Sequence, residues 1–131
     1  MNLLLDTHVA LWAIADARRL PPAISELIAD PANEVSVSAV TIWEIAIKHA
    51  LARGGAEDMP VSGRHALRYF QQAGYSLLGV SAEHAAMVED LPRLHGDPFD
   101  RLLVAQAASQ PLRLITHDPA VAANSDAIIA F

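Results

Sequence analysis

The chain opens with MNLLLDTHVALW (residues 1–12), and the reading of NLLL ahead of Asp6 decides the fold. An apolar run of that length, ending abruptly at an acid, has the pattern of a buried strand. A short helix, roughly residues 8–15, follows it. The same alternation runs on to the last residue. PPAISELIAD (21–30) is a helix opened by its proline pair and stopped by Pro31. EVSVS (34–38) is short and β-branched, a strand. Residues 39–53 are expected to be helical and to end before Gly54-Gly55, with GGAEDMPVSG (54–63) as a loop. RHALRYFQQAG (64–74) is a helix with Gly74 as its stop, and YSLLGVS (75–81) a strand. AEHAAMVEDL (82–91) is a helix with Ser81 as N-cap. DPFDRLLVAQAASQ (97–110) is a helix, while LRLIT (112–116) and AIIAF (127–131) are strands. Strands alternating with helices predict a three-layer α/β/α sandwich around a mostly parallel sheet, its short apolar strands covered on both faces.

Composition bounds what such a sandwich can do. At 131 residues the chain has the length of one domain, residues 1–131, with no repeat or linker to divide it. With 53% apolar residues it can bury a core. Cysteine is absent, which removes disulfides and thiolate metal sites and suits a reducing cytoplasm. The apolar N-terminus lacks a basic segment, is interrupted by Asp6 and His8, and is too short to span a bilayer. No membrane association is expected. A net charge of −6 argues against nucleic-acid binding through a broad basic surface.

The informative residues are acids. In open parallel sheets ligands bind beyond the carboxyl ends of the strands. Asp6 follows NLLL, and Asp118 follows LRLIT by two residues, so both should emerge on one sheet edge. Each also has a bland role: Asp6-Thr7 can cap the first helix, and Asp118-Pro119 reads as cap then first helical residue. In HGDPFDRLL (95–103) the same applies to Asp97, with Pro98 behind it and Asp100 at the third helical position. Such a cap contributes about 1 kcal/mol. It explains Asp97 fully and Asp100 less well, because Glu or Gln is the usual partner there. A carboxylate at a helix N-terminus stays ionised, as a metal ligand must. Glu44 lies in AVTIWEIAIKHALA. There Val40, Trp43, Ile47 and Leu51 make an apolar stripe, and Glu44 projects about 40° from Val40, at its edge. An ion pair with Lys48, or a capping box with Thr41, would explain Glu44 without chemistry.

The acids mean more as a set. Two carboxylates 4 Å apart repel by about 4 kcal/mol at an effective dielectric of 20. Several such pairs would rival the whole stability of a domain, about 5–15 kcal/mol. If Asp6, Glu44, Asp100 and Asp118 converge, protons or cations must sit among them. Oxygen-only donors select hard cations, Mg²⁺ or Mn²⁺. Such an ion binds phosphate and activates water, and it supplies the positive charge that an acidic protein lacks. Lys48, Arg53, Arg93 and Arg101 could then steer a phosphate backbone.

MNLLLDTHVALW, SVSAVTIWEIAIKHALARG, HGDPFDRLLVAQA and LRLITHDPAV, in this order, resemble the PIN-domain ribonucleases. More closely, they resemble the VapC-type toxins of bacterial toxin–antitoxin pairs. The resemblance covers essentially the whole chain. It implies a PIN-like α/β/α fold and a Mg²⁺- or Mn²⁺-dependent endoribonuclease. Asp6, Glu44, Asp100 and Asp118 match the four acids of that family, as catalytic and metal-holding residues. Thr7 and Thr116 match its hydroxyls beside the first and fourth acids, and Asp97 fits a DPFDR variant of the third motif. The resemblance also implies an RNA substrate cut to a 5′-phosphate and a 3′-hydroxyl, and a cognate antitoxin partner. The apolar helices 8–15 and 39–53 offer surface for a homodimer or a partner, unless Trp12 and Trp43 are simply core.

Rival readings meet specific objections. The six histidines include His8, His95 and His117, each beside an acid, as an Asp/His metallophosphohydrolase would use them. No helical histidine pair accompanies them. A haloacid-dehalogenase-like phosphatase needs a second acid where His8 stands. A phospho-accepting receiver domain needs a lysine after a late strand, and Lys48, the only lysine, is mid-helix. A catalytically weak PIN fold that only binds RNA or antitoxin survives as the non-enzymatic alternative.

Overall fold

The computed structural model describes residues 1–55, 58–92 and 96–131; Arg93 and His95 fall outside them. Five strands form one sheet: β1 (Asn2–Leu5), β2 (Glu34–Ser38), β3 (Ser76–Leu78), β4 (Arg113–Thr116) and β5 (Ile129–Ala130). Their order is β3-β2-β1-β4-β5, and every neighbouring pair is parallel. Central β1 pairs Leu3 with Val35 on one side and with Arg113 on the other. Side chains alternate across a strand. Leu3 and Leu5 therefore face one layer, packed with Val9, Ile24, Ile45 and Phe70. Leu4 faces the other layer, with Leu103, Val104, Leu114 and Val121. This double burial is why NLLL reads as an unbroken apolar run.

The helices are α1 (Thr7–Ala15), α2 (Pro22–Ala29), α3 (Ala39–Ala50), α4 (Gly63–Gln72), α5 (Ala82–Met87), α6 (Pro98–Ser109) and α7 (Pro119–Ala122). The expected α/β/α sandwich is the fold. Local chemistry sets most helix ends. Ser81 caps α5 in a reciprocal box with His84, whose ring takes the position usually held by Glu. At the end of α4, Gly74 at φ +83 permits a Schellman closure, in which Tyr75 N–H donates to the Phe70 carbonyl at 3.1 Å. Gly63 starts α4 hard against α3: a Cβ there would lie 2.7 Å from that of Ala46.

Some expectations need correction. Helix α3 stops at Ala50 rather than at residue 53. Beyond it, the Asp58 carboxylate takes the Arg53 and Gly54 amides at 3.1 and 2.7 Å, fixing a turn instead. Strand β3 is only Ser76–Leu78, because the next carbonyl, of Gly79, accepts from the Gln106 side chain instead of a neighbouring strand. Strand β5 is likewise two residues long. A 3₁₀ turn, Ala17–Arg19, follows α1 and was not foreseen. Only part of the apolar stripe expected on α3 is core. Trp43 is 56% exposed and Leu51 65%, while Val40, Thr41, Glu44 and Ile45 make the buried face. A stripe read from hydropathy cannot tell a core face from an apolar outer face.

Candidate functional site

Parallel strands bring their carboxyl ends to one edge, and β1 and β4 are neighbours. The Asp6 amide still pairs with the Ile115 carbonyl at 3.0 Å, so Asp6 leaves β1 beside the end of β4. It then caps α1, and its side chain is 5% exposed. One Asp6 oxygen accepts from the Thr7 amide at 2.7 Å, and the other from the Thr116 hydroxyl at 2.6 Å. Thr116, fully buried, also accepts the Asp118 amide at 3.0 Å. One hydroxyl thus fixes Asp6 and the backbone of Asp118 together. Burial raises the Asp6 carboxyl above its ordinary value of 3.8, against the lowering effect of the Thr116 and Thr7 hydrogen bonds and of His8; Glu44 adds to the rise.

Glu44 enters from α3, 4% exposed. Thr7 joins it to the same crevice: its hydroxyl donates to Glu44 Oε1 at 2.7 Å and lies 3.1 Å from the Thr41 hydroxyl. Lys48 Nζ holds Glu44 Oε2 at 2.5 Å. The ion pair that could have explained Glu44 as a surface residue is therefore present, yet its acid is buried. Helix α6 brings the remaining pair. Asp97 is the N-cap, accepting from the Phe99 and Asp100 amides at 2.9 and 3.2 Å. Asp100 is half-buried, and its carboxyl is pushed up to about 7. The first cause is burial; the charges of Asp6, Asp97, Glu44 and Asp118 follow in that order. Asp118 is exposed and caps α7, accepting from the Ala120 amide at 2.9 Å.

Asp6, Glu44 and Asp118 all lie near enough to Asp100 to raise its carboxyl. They do not form a closed coordination sphere: among the described residues, no three His, Asp or Glu side chains are grouped as they would be around a metal ion. Asp6 and Glu44 have both oxygens turned to Thr7, Thr116 and Lys48. In donor type the crevice still fits a hard cation, since carboxylate and hydroxyl oxygens are what Mg²⁺ and Mn²⁺ prefer.

Arg101 takes a different part from backbone steering. Its guanidinium donates to the Pro92 and Val88 carbonyls at 2.9 and 3.1 Å, tying α6 to the turn after α5. The sequence reading offered Thr41 only as a capping-box partner of Glu44, whereas Ser38 is the cap and Thr41 faces Thr7; it missed the pair Ser38–Gln106. Ser38 caps α3 and donates to Gln106 Oε1 at 2.5 Å, so a fully buried amide locks α6 to the start of α3. The signal was available: Gln106 is a lone polar residue inside LLVAQAA.

Comparison with known proteins fits this architecture. The PIN domain family model matches residues 3–126. The chain is 34% identical over 120 residues to ribonuclease VapC22 of Mycobacterium tuberculosis, covering 89% of this chain and 87% of that protein. Among solved structures it is similar to VapBC2 of Rickettsia felis, bound there to a promoter DNA fragment. That likeness has a TM-score of 0.69 at 16% identity and covers 100% and 98% of the two chains. It is also similar to VapBC-5, a toxin–antitoxin system of Mycobacterium tuberculosis, with a TM-score of 0.60, 25% identity and coverage of 99% and 95%. Strand order, acid placement and these likenesses agree: the chain belongs to the PIN-domain family, in its VapC-type branch.

Proposed function

We propose that the chain is the toxin of a toxin–antitoxin pair, a Mg²⁺- or Mn²⁺-dependent endoribonuclease of the cytoplasm. The observation that carries this reading is the placement of the acids. Thr116 holds Asp6 beside Asp118, and Thr7 sets Glu44 beside Asp6. All three crowd the half-buried Asp100, so positive charge is wanted there. Asp6, Glu44, Asp100 and Asp118 would hold the ion. When bound, such an ion lowers the pKa of a coordinated water and offsets charge on the phosphate.

The chain's own residues would do the rest. Thr7 and Thr116 fix the Glu44 and Asp6 carboxylates in orientation. One of the four carboxylates would also take up the proton released by the attacking water. The water oxygen bonds to phosphorus as the bond to the 3′-oxygen breaks, and that oxygen gains a proton. The products are a 5′-phosphate and a 3′-hydroxyl, with no protein nucleophile. Lys48 is expected to leave Glu44 Oε2 for the phosphate when the ion binds. The exposed Trp43 on α3 and Leu51 just after it give an antitoxin or a second copy an apolar surface to cover. VapBC-5 and VapBC2 support the antitoxin; the homodimer rests on the apolar face alone.

The test is cleavage of end-labelled structured RNA in Mn²⁺, Mg²⁺ and EDTA, with Asp100→Asn alongside. Metal-dependent cutting lost in the variant is the expected result. Folded, antitoxin-free protein that binds several RNAs without cutting any would favour the binding-module alternative.

A further inference from the structure

Beside the acids lies an aromatic cavity that the hydrolysis mechanism does not use. It has a volume of about 420 Å³, and Asp6 and Asp118 line it together with His8, Trp12, Arg19 and His117. The His117 ring stands edge-on to Trp12 at 5.5 Å and stacks on Phe131 at 4.8 Å. Its Nδ1 meets the Phe131 carbonyl oxygen, so that nitrogen carries the hydrogen. The Arg19 guanidinium lies over Trp12, 5.7 Å from the ring centre, and Asp16 holds it at 3.2 Å. His8, Trp12 and Arg19 also border a second cavity, of about 610 Å³. Packing of the last strand accounts for Phe131 and one face of His117. It does not account for exposed His8 and Arg19 gathering around a half-buried tryptophan.

Ligand chemistry follows from the walls. A phosphate placed here would face Asp6 and Asp118. A cation would meet Arg19 over the same ring. A neutral π face suits both the aromatics and the guanidinium. We propose that this cavity receives an unstacked nucleobase of single-stranded RNA, the one attached next to the phosphate held over Asp6 and Asp118. The proposal rests on the ribonuclease reading and adds a subsite to it. Trp12, His117 and Arg19 would then set base preference, since single-stranded RNA is read largely by stacking and by base edges.

Trp12 reports on its own occupancy. The chain has two tryptophans, so Trp43→Phe leaves Trp12 as the sole emitter. Cleavage is slowed by working in the cold with Ca²⁺, the four acids being left intact. The Trp43→Phe variant is titrated with rA, rC and rU decamers, a decamer of ribose-phosphate without bases, and a capped Arg-Arg dipeptide, while anisotropy of labelled decamers reports binding. The expected result is Trp12 quenching by at least one base-bearing decamer and none by the abasic one. Arg19→Ala should weaken that decamer about tenfold, at an unchanged melting temperature, without changing abasic binding. Decamers that bind while Trp12 emission ignores their bases would overturn the proposal, as would no binding at all. Quenching by the dipeptide alone would give the cavity to a protein partner and also overturn it. Cleavage by the wild type in Mn²⁺ is scored separately. Cutting without quenching removes only the subsite, and quenching without cutting removes only the hydrolysis.

Discussion

The buried half of the crevice and its rim solve one electrostatic problem in different ways. Asp6 and Glu44, at 5% and 4% exposure, have each carboxylate oxygen met by a donor from the chain: amide, hydroxyl or ammonium. Burying a charge is costly unless it is paired and hydrogen-bonded, and these two are. The rim acids Asp97, Asp100 and Asp118 stand at the starts of α6 and α7, where Asp97 and Asp118 accept helix amides. Asp100 combines the disadvantages of both halves: it loses water by burial and faces four like charges. The difference teaches where negative charge is most crowded: Asp100 is the position at which an added cation relieves most repulsion.

The largest effect should come from breaking that position. Asp100→Asn is expected to lower Mn²⁺-dependent RNA cleavage at least ~100-fold, since metal stabilisation of a phosphoryl centre amounts to several kcal/mol. Asp97→Asn should keep most activity, because Asn caps a helix as well as Asp does. Equal losses in two folded variants would erase the distinction between cap and ligand. Asp97→Ala, by contrast, should cost about 1 kcal/mol of stability, read by urea unfolding.

Next in size is the scaffold that holds the buried half. Phe70 is fully buried under β1, and Phe70→Ala should cost about 3–5 kcal/mol. Gln106→Leu leaves the Ser38 hydroxyl and the Gly79 carbonyl without their partner, at about 1–3 kcal/mol. If that network sets the distance between Asp100 and Glu44, cleavage at a temperature where the variant is folded should fall as well. Unchanged cleavage would make Gln106 purely structural.

The pH dependence is subtler and has a definite sign. The folded chain holds the Asp100 proton up to about pH 7, against an ordinary value of 3.8. Between those values the folded state binds more protons than the unfolded one, so this group favours folding at the acid end. That contribution is lost as pH rises towards and through 7. In EDTA, Asp100→Asn should therefore melt a few degrees above the wild type at pH 8, and the gap should close near pH 4. A gap that is constant with pH would mean the asparagine acts through packing. Asp6→Asn gains less, because an amide cannot accept both the Thr7 and the Thr116 hydrogen, and its melting temperature should stay near that of the wild type.

These contrasts also show what a sequence can carry. Asp97 as cap, Pro98 as first helical residue and Asp118 as a second cap are local arrangements, so HGDPFD and THDP display them directly. Asp6 beside Asp118 was legible because parallel strands must end on one edge. Glu44 was legible as a candidate but not in its burial. Helix α3 is apolar on two faces, and only packing decides that Trp43 points out while Glu44 points in. The aromatic wall was not legible at all, since Trp12, Arg19, His117 and Phe131 come from both ends of the chain.

The most direct test of Asp100 as the cation's position does not need the RNA target. Mn²⁺ binding is measured by calorimetry at pH 8 on the wild type, Asp97→Asn and Asp100→Asn. The account predicts binding by the first two and a loss of at least tenfold in affinity in the third, with wild-type affinity falling as pH drops below 7. Mn²⁺ bound as tightly by Asp100→Asn as by the wild type would contradict it.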